Sequence, residues 1–91
     1  MTTYNYYYDA GHGWIRVEYQ ELQRLNILDK ISVYSYISLD NVYLEEDRDA
    51  TIFIEAKKEA REPYLLNEID EGNRSSIRLL EHFNYNALTV A

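Results

Sequence analysis

Apolar and polar side chains alternate from Ile31 to Leu39. Ile31, Val33, Ile37 and Leu39 fall on one side, and Ser32, Tyr34, Tyr36 and Ser38 on the other. A period of two in β-branched and aromatic residues predicts a half-buried strand. Asp40-Asn41 supplies turn residues that tolerate left-handed backbone. Val42-Tyr43-Leu44-Glu45 then alternates again, with Val42 and Leu44 inward. The stretch from Asp29 to Phe53 thus reads as a hairpin running into a helix, with Tyr34, Tyr36 and Tyr43 together on its outer side.

The same reading extends to the whole chain. Residues 1–10 are polar and tyrosine-rich, with Tyr4, Tyr6 and Tyr8 at a spacing of two, which suits an arm or an edge strand. Gly11-His12-Gly13 interrupts, and Trp14-Ile15-Arg16-Val17 resumes as a strand with Ile15 and Val17 on one face. Glu18 to Asn26 has helical spacing in Leu22 and Leu25. Asn26 serves as its C-cap, and Ile27 and Leu28 are left to plug the core.

After the hairpin, Asp47 or Asp49 caps a helix over about Ala50 to Arg61. Its buried stripe is Ile52, Phe53, Ala56 and Ala60, and Lys57, Lys58 and Arg61 lie at the end where the dipole favours cations. Pro63 closes it. Tyr64 to Ile69 reads as a strand and residues 71–74 as a loop. Ser75 or Ser76 caps a last helix over Ser76 to Phe83, with Ile77, Leu80 and Phe83 inward. Residues 84–91 are expected as an extended tail with Leu88 and Val90 tucked down. The order β-α-β-β-α-β with a C-terminal helix predicts an α+β class: one small domain over residues 1–91, its helices mainly on one face of the sheet.

Composition narrows the setting. A chain of 91 residues with 46% hydrophobic content sits near the lower size at which one core suffices. Cysteine is absent, which removes disulfides and thiolate chemistry and suits a reducing compartment. The N-terminus has neither the basic nor the apolar run of a signal peptide, and no stretch has membrane-spanning length. The expectation is a cytoplasmic protein without membrane contact. A net charge of −7 argues against direct nucleic-acid binding, which rewards clustered Lys and Arg. Acidity gathers in Glu45-Glu46-Asp47-Arg48-Asp49 and Glu68-Ile69-Asp70-Glu71, which favours a basic protein partner. Ten tyrosines supply side chains that are enriched at interface hot spots.

Chemistry-bearing motifs are sparse. His12, flanked by glycines before Trp14, is the best candidate for a general base, yet no triad spacing surrounds it. His82 beside Phe83 reads as a boundary residue. No HxxxH or HxH spacing supports a metal site, the acidic run does not match a calcium loop, and Gly11-His12-Gly13 is no phosphate loop. No catalytic residue, metal or cofactor is therefore expected.

Several segments carry a likeness. Gly11-His12-Gly13-Trp14, Glu21-Leu22 to Leu25, Asp29-Lys30-Ile31-Ser32, Tyr34-Ser35-Tyr36, Val42-Tyr43-Leu44-Glu45-Glu46-Asp47 and Asp49-Ala50 together resemble a family of small uncharacterised bacterial and phage proteins, over roughly residues 8–56. That family carries no assigned activity, so the resemblance implies a fold unit and a mobile-element setting without a site. In size and composition alone, the chain is similar to anti-CRISPR proteins.

The functional expectation is a non-enzymatic protein-binding module, of the type that inhibits a host defence complex by occluding a basic surface. Its partner-binding residues are Tyr34, Tyr36, Tyr43, Glu45, Glu46 and Asp47. The alternatives are a small enzyme or ligand-binding domain centred on His12 and Trp14, a DNA mimic, and a homodimer formed by edge pairing of the Tyr4–Tyr8 segment.

Overall fold

A computed structural model describes residues 1–88. Its strands are β1 (Thr2–Tyr8), β2 (Gly13–Glu18), β3 (Tyr36–Ser38), β4 (Asn41–Glu45), β5 (Tyr64–Asp70) and β6 (Glu81–His82). Its helices are α1 (Tyr19–Arg24), α2 (Asp49–Glu59) and the single turn α3 (Tyr85–Leu88). Short 3-10 turns cover Leu28–Lys30 and Ser76–Leu79. The six strands form one mixed sheet in the order β5-β1-β2-β4-β3-β6, in which only β1 and β5 run parallel. The α+β class expected from the pattern is the class observed.

The core lies on one face of this sheet. Tyr4, Ile15, Val17, Val42 and Leu44 point to it from the strands, and Leu22, Ala50 and Phe53 close it from α1 and α2. Phe53 meets the Tyr4 ring edge-on, with centroids 5.0 Å apart. Both helices end in left-handed residues that free the chain to turn: Asn26 where the sequence indicates it, and Arg61 where the pattern predicts a last helical residue. Asn26 (φ 59) follows α1, where the Ile27 N–H donates to the Leu22 carbonyl. Arg61 (φ 55) follows α2, where the Glu62 N–H donates to Lys57, and Pro63 comes next. Both are Schellman closures. In the first, Ile27 and Leu22 are both buried, the apolar contact that usually accompanies this motif.

Several local expectations are corrected. The tyrosine-rich start is neither an arm nor an edge: β1 is paired on both sides, by β2 and β5. Tyr6–Tyr8, paired on both sides, offer no free edge to a second copy.

The strand expected over Ile31–Leu39 shrinks to Tyr36–Ser38. Asp49 is the reason. Its buried carboxylate accepts from the Ser32 backbone and hydroxyl and from the Ser35 hydroxyl, which bends residues 31–35 out of the ladder. Val33 and Leu39 are consequently exposed rather than inward. The hairpin turn is Leu39-Asp40, with Leu39 at φ 56, so Asn41 already belongs to β4.

Asp49 thus does not cap α2, nor does Asp47. Arg48 occupies the N-cap without a side-chain bond. The buried stripe of α2 is Asp49, Ala50, Phe53 and Lys57, while Ala60 is exposed.

The last helix expected over Ser76–Phe83 is a 3-10 turn followed by β6. Ser75 does cap it, accepting from the Ile77 N–H. Spacing of three in Ile77, Leu80 and Phe83 suits a 3-10 turn as well as an α-helix. The Phe83 N–H donates to Ser35, so the chain docks beside β3 instead of coiling on. Of the tail, residues 85–88 form a helical turn rather than an extended segment, and Val90 lies outside the described residues.

Candidate functional site

Because the side chains of a strand alternate, every residue that packs against α2 leaves its neighbour on the other face. That face carries Tyr7 on β1, Trp14 and Arg16 on β2, Tyr43 and Glu45 on β4, and Tyr36 on β3, as the register dictates. At one end it deepens into a cleft of about 400 Å³, lined by His12, Trp14, Tyr34, Tyr36, Glu45, Asp47, Arg48, Arg78 and His82.

The floor is aromatic and fixed. Trp14 is 2% exposed. Tyr36 meets it edge-on at 6.2 Å and stacks on the His82 ring at 4.6 Å. His82 Nδ1 lies 2.6 Å from the Val33 carbonyl. That nitrogen must therefore carry the proton in the neutral ring, leaving Nε2 as the acceptor. The Arg78 guanidinium covers the Trp14 ring at 5.4 Å.

Arg78 is held there by Asp9. Its Nε and Nη2 donate to the two Asp9 oxygens at 2.7 and 2.9 Å. Asp9, 7% exposed, also accepts from the backbone of Gly11, His12 and Ser75. The Arg78 bonds foremost, helped by these amides, hold the Asp9 carboxyl far below the usual carboxylate range. One buried carboxylate thus fixes the turn that carries His12 and ties it to a segment 69 residues away.

The rim is acidic. Glu45 accepts from the Asp47 and Arg48 N–H groups, which shapes the turn between β4 and α2. Burial, and then the charge of Asp47 beside it, pushes the Glu45 carboxyl up. His12, Glu45 and Asp47 come together here, with one donor atom from each lying within 4.8 Å of the others. Among the described residues neither of these two carboxylates has an ion pair.

The residues singled out in the sequence divide into groups. Tyr34, Tyr36, Glu45 and Asp47 line the cleft, and so do His12 and Trp14, which had suggested a separate site. Tyr43 pairs with Tyr36 across the ladder but lies beyond the cleft, against Tyr7 at 6.0 Å. Glu46 turns to the other face, where it accepts from the Tyr6 hydroxyl at 2.7 Å. Burial and that bond push Tyr6 up to about 12. The same Tyr6 hydroxyl fills the space that a Cβ at position 13 would need, so any larger residue there must displace the Tyr6 ring from Glu46.

Arg48, Arg78 and His82 complete the cleft without any sequence signal, because they reach it through turns and a two-residue strand. A larger open groove of about 500 Å³ runs at the opposite end of the strands, past Thr2, Arg16, Glu18 and Arg24. Arg24 there is already paired with both Glu21 and Glu62.

No protein-family model matches the chain, and no curated protein and no solved structure is similar to it. The chemistry of the cleft is therefore read from its own residues. Among the described residues no helix is long and apolar enough to cross a membrane.

Proposed function

We propose that the chain is a non-enzymatic protein-binding module that engages a basic partner surface through this cleft and the tyrosines at its mouth. One observation carries the reading. Tyr34, 66% exposed, lines the cleft beside Tyr36 and two carboxylates that have no ion pair among the described residues. Tyrosine offers a large contact area at low rotamer cost, and carboxylates beside aromatic rings favour an Arg or Lys side chain. The net charge of −7 adds long-range attraction for a basic surface. Occlusion needs no catalytic group, which suits blockade of a host defence complex of the anti-CRISPR kind, in the mobile-element setting the sequence resemblance implies.

A second reading is supported by the same walls. His12 and Trp14 share the cleft, so a small ligand-binding domain centred on them is the runner-up. DNA mimicry is less well supported, because Glu45 and Glu46 point to opposite faces and the acidic run forms no single row.

The test compares capture from host lysate by the wild-type chain, by Tyr34→Ala/Tyr36→Ala and by Leu39→Ala, a control at an exposed turn. The proposal expects a partner retained by wild type and Leu39→Ala, lost from the double variant, and released by raised salt. Equal retention by all three chains would overturn it. Loss in His12→Ala with retention in the tyrosine variant would favour the ligand-domain reading.

A further inference from the structure

We infer that His12, Glu45 and Asp47 form a binding site for a divalent first-row transition ion of the zinc class, at the rim of the cleft. The inference stands on the geometry of this cluster and is independent of the protein-partner proposal.

Three separate segments converge on the site. His12 comes from the turn between β1 and β2, Glu45 from the end of β4, and Asp47 from the turn before α2. Their donor atoms lie within 4.8 Å of one another. A bound ion needs donors about 2.0–2.2 Å from a common point, or roughly 3–4 Å apart. His12 and Asp47 are exposed, so their side chains can rotate inward over the remaining gap without disturbing the core.

Charge points the same way. Glu45 and Asp47 sit side by side, and among the described residues neither has an ion pair. Of the two cations on the cleft wall, Arg78 is committed to Asp9, and Arg48 makes no ion pair with either carboxylate. A dication would balance the two carboxylates.

The supports are built in. The backbone N–H of His12 donates to buried Asp9, and Glu45 is oriented by the N–H groups of Asp47 and Arg48. Such outer contacts hold ligands in place before the ion arrives.

The donor set chooses the metal. An imidazole nitrogen with two carboxylate oxygens suits zinc, cobalt or nickel, whereas calcium asks for six to eight oxygens and magnesium for near-ideal octahedral oxygen ligation. Three protein ligands facing a cleft leave a coordination position open to water or to a donor from a bound molecule.

The chain reports on the site itself. Its single tryptophan, Trp14, lies with its ring 6.3 Å from that of His12. Zn²⁺ titration by calorimetry, with Co²⁺ quenching of Trp14 fluorescence, is applied to wild type, His12→Ala, Glu45→Gln and His82→Ala. The expected result is one saturable site per chain, with affinity reduced at least about tenfold in His12→Ala and Glu45→Gln. His82→Ala, in the cleft but outside the cluster, keeps the wild-type affinity. The inference is overturned by non-saturable binding in wild type, by unchanged affinity in His12→Ala, or by a loss in His82→Ala equal to that in His12→Ala.

Discussion

On one face of the sheet Tyr4 meets Phe53 edge-on and the Lys57 ammonium lies 5.2 Å from the Tyr4 ring centre. That ammonium is paired with Glu62 at 2.9 Å and Glu21 at 3.5 Å, and the Tyr4 hydroxyl donates to Glu21. On the other face Trp14, Tyr36 and His82 pack as closely, yet among the described residues the carboxylates beside them have no ion pair. Both regions combine rings with charges. The difference is completion: the helix side resolves its charges inside the molecule, and the open side presents them outward. A closed network costs little to keep buried, whereas an unpaired carboxylate pair persists only with water or a ligand beside it.

The comparison breaks most readily on the helix side. Phe53→Ala removes a fully buried ring and is expected to cost about 3–5 kcal/mol in urea unfolding. Lys57→Met keeps the apolar stem but removes the buried one of the two cations that Glu21 and Glu62 share, leaving Arg24. A loss of about 1–2 kcal/mol is expected, below the buried-pair range because Arg24 still pairs both carboxylates and Glu62 stays a third exposed. A loss under about 0.5 kcal/mol would show that the network is as superficial as ordinary surface pairs.

Acid and alkali sharpen the contrast. Glu62 is lowered to about 2, chiefly by its bond from Arg24, and Asp9 lies lower still through Arg78. A lowered carboxyl stabilises the fold above its unfolded pKa and loses that contribution as pH falls. Stability should therefore drop from about pH 4.5 towards pH 2. Tyr6 is raised to about 12, first by burial and then by Glu46. A raised group stabilises below its unfolded pKa, so stability should fall again as pH climbs from 10 to 12. Circular dichroism across pH 2–12 checks both limbs. Tyr6→Phe, which cannot ionise, should make the alkaline one shallower, with Tyr4, also raised by burial, still contributing.

Much of this frame was legible in the sequence, and the reasons are local. Alternation in Trp14–Val17 and Val42–Glu45, helical spacing in Leu22 and Leu25, Asn26 and Pro63 at helix ends, and Ser75 as a cap each depend on near neighbours. What was hidden depends on distant partners. Asp49 looked like a cap, and only the fold shows it drawing in Ser32 and Ser35 and dissolving half of the expected strand. The position of β1 inside the sheet waits on β5, some sixty residues later. The cleft follows the same rule. Its tyrosines were visible as a strand face, but Asp9–Arg78 and the meeting of His12 with Glu45 and Asp47 span distances that no motif spacing reaches.

The most direct test asks whether the two faces separate stability from recognition. Tyr34→Ala/Asp47→Asn alters only exposed cleft residues, so its unfolding free energy should stay within about 0.5 kcal/mol of wild type. Its affinity for a partner captured by the wild-type chain, measured by titration calorimetry, should fall at least about tenfold, since central tyrosines at interfaces commonly contribute that much. A variant that binds as tightly as wild type, or one that unfolds as readily as Phe53→Ala, would contradict the account.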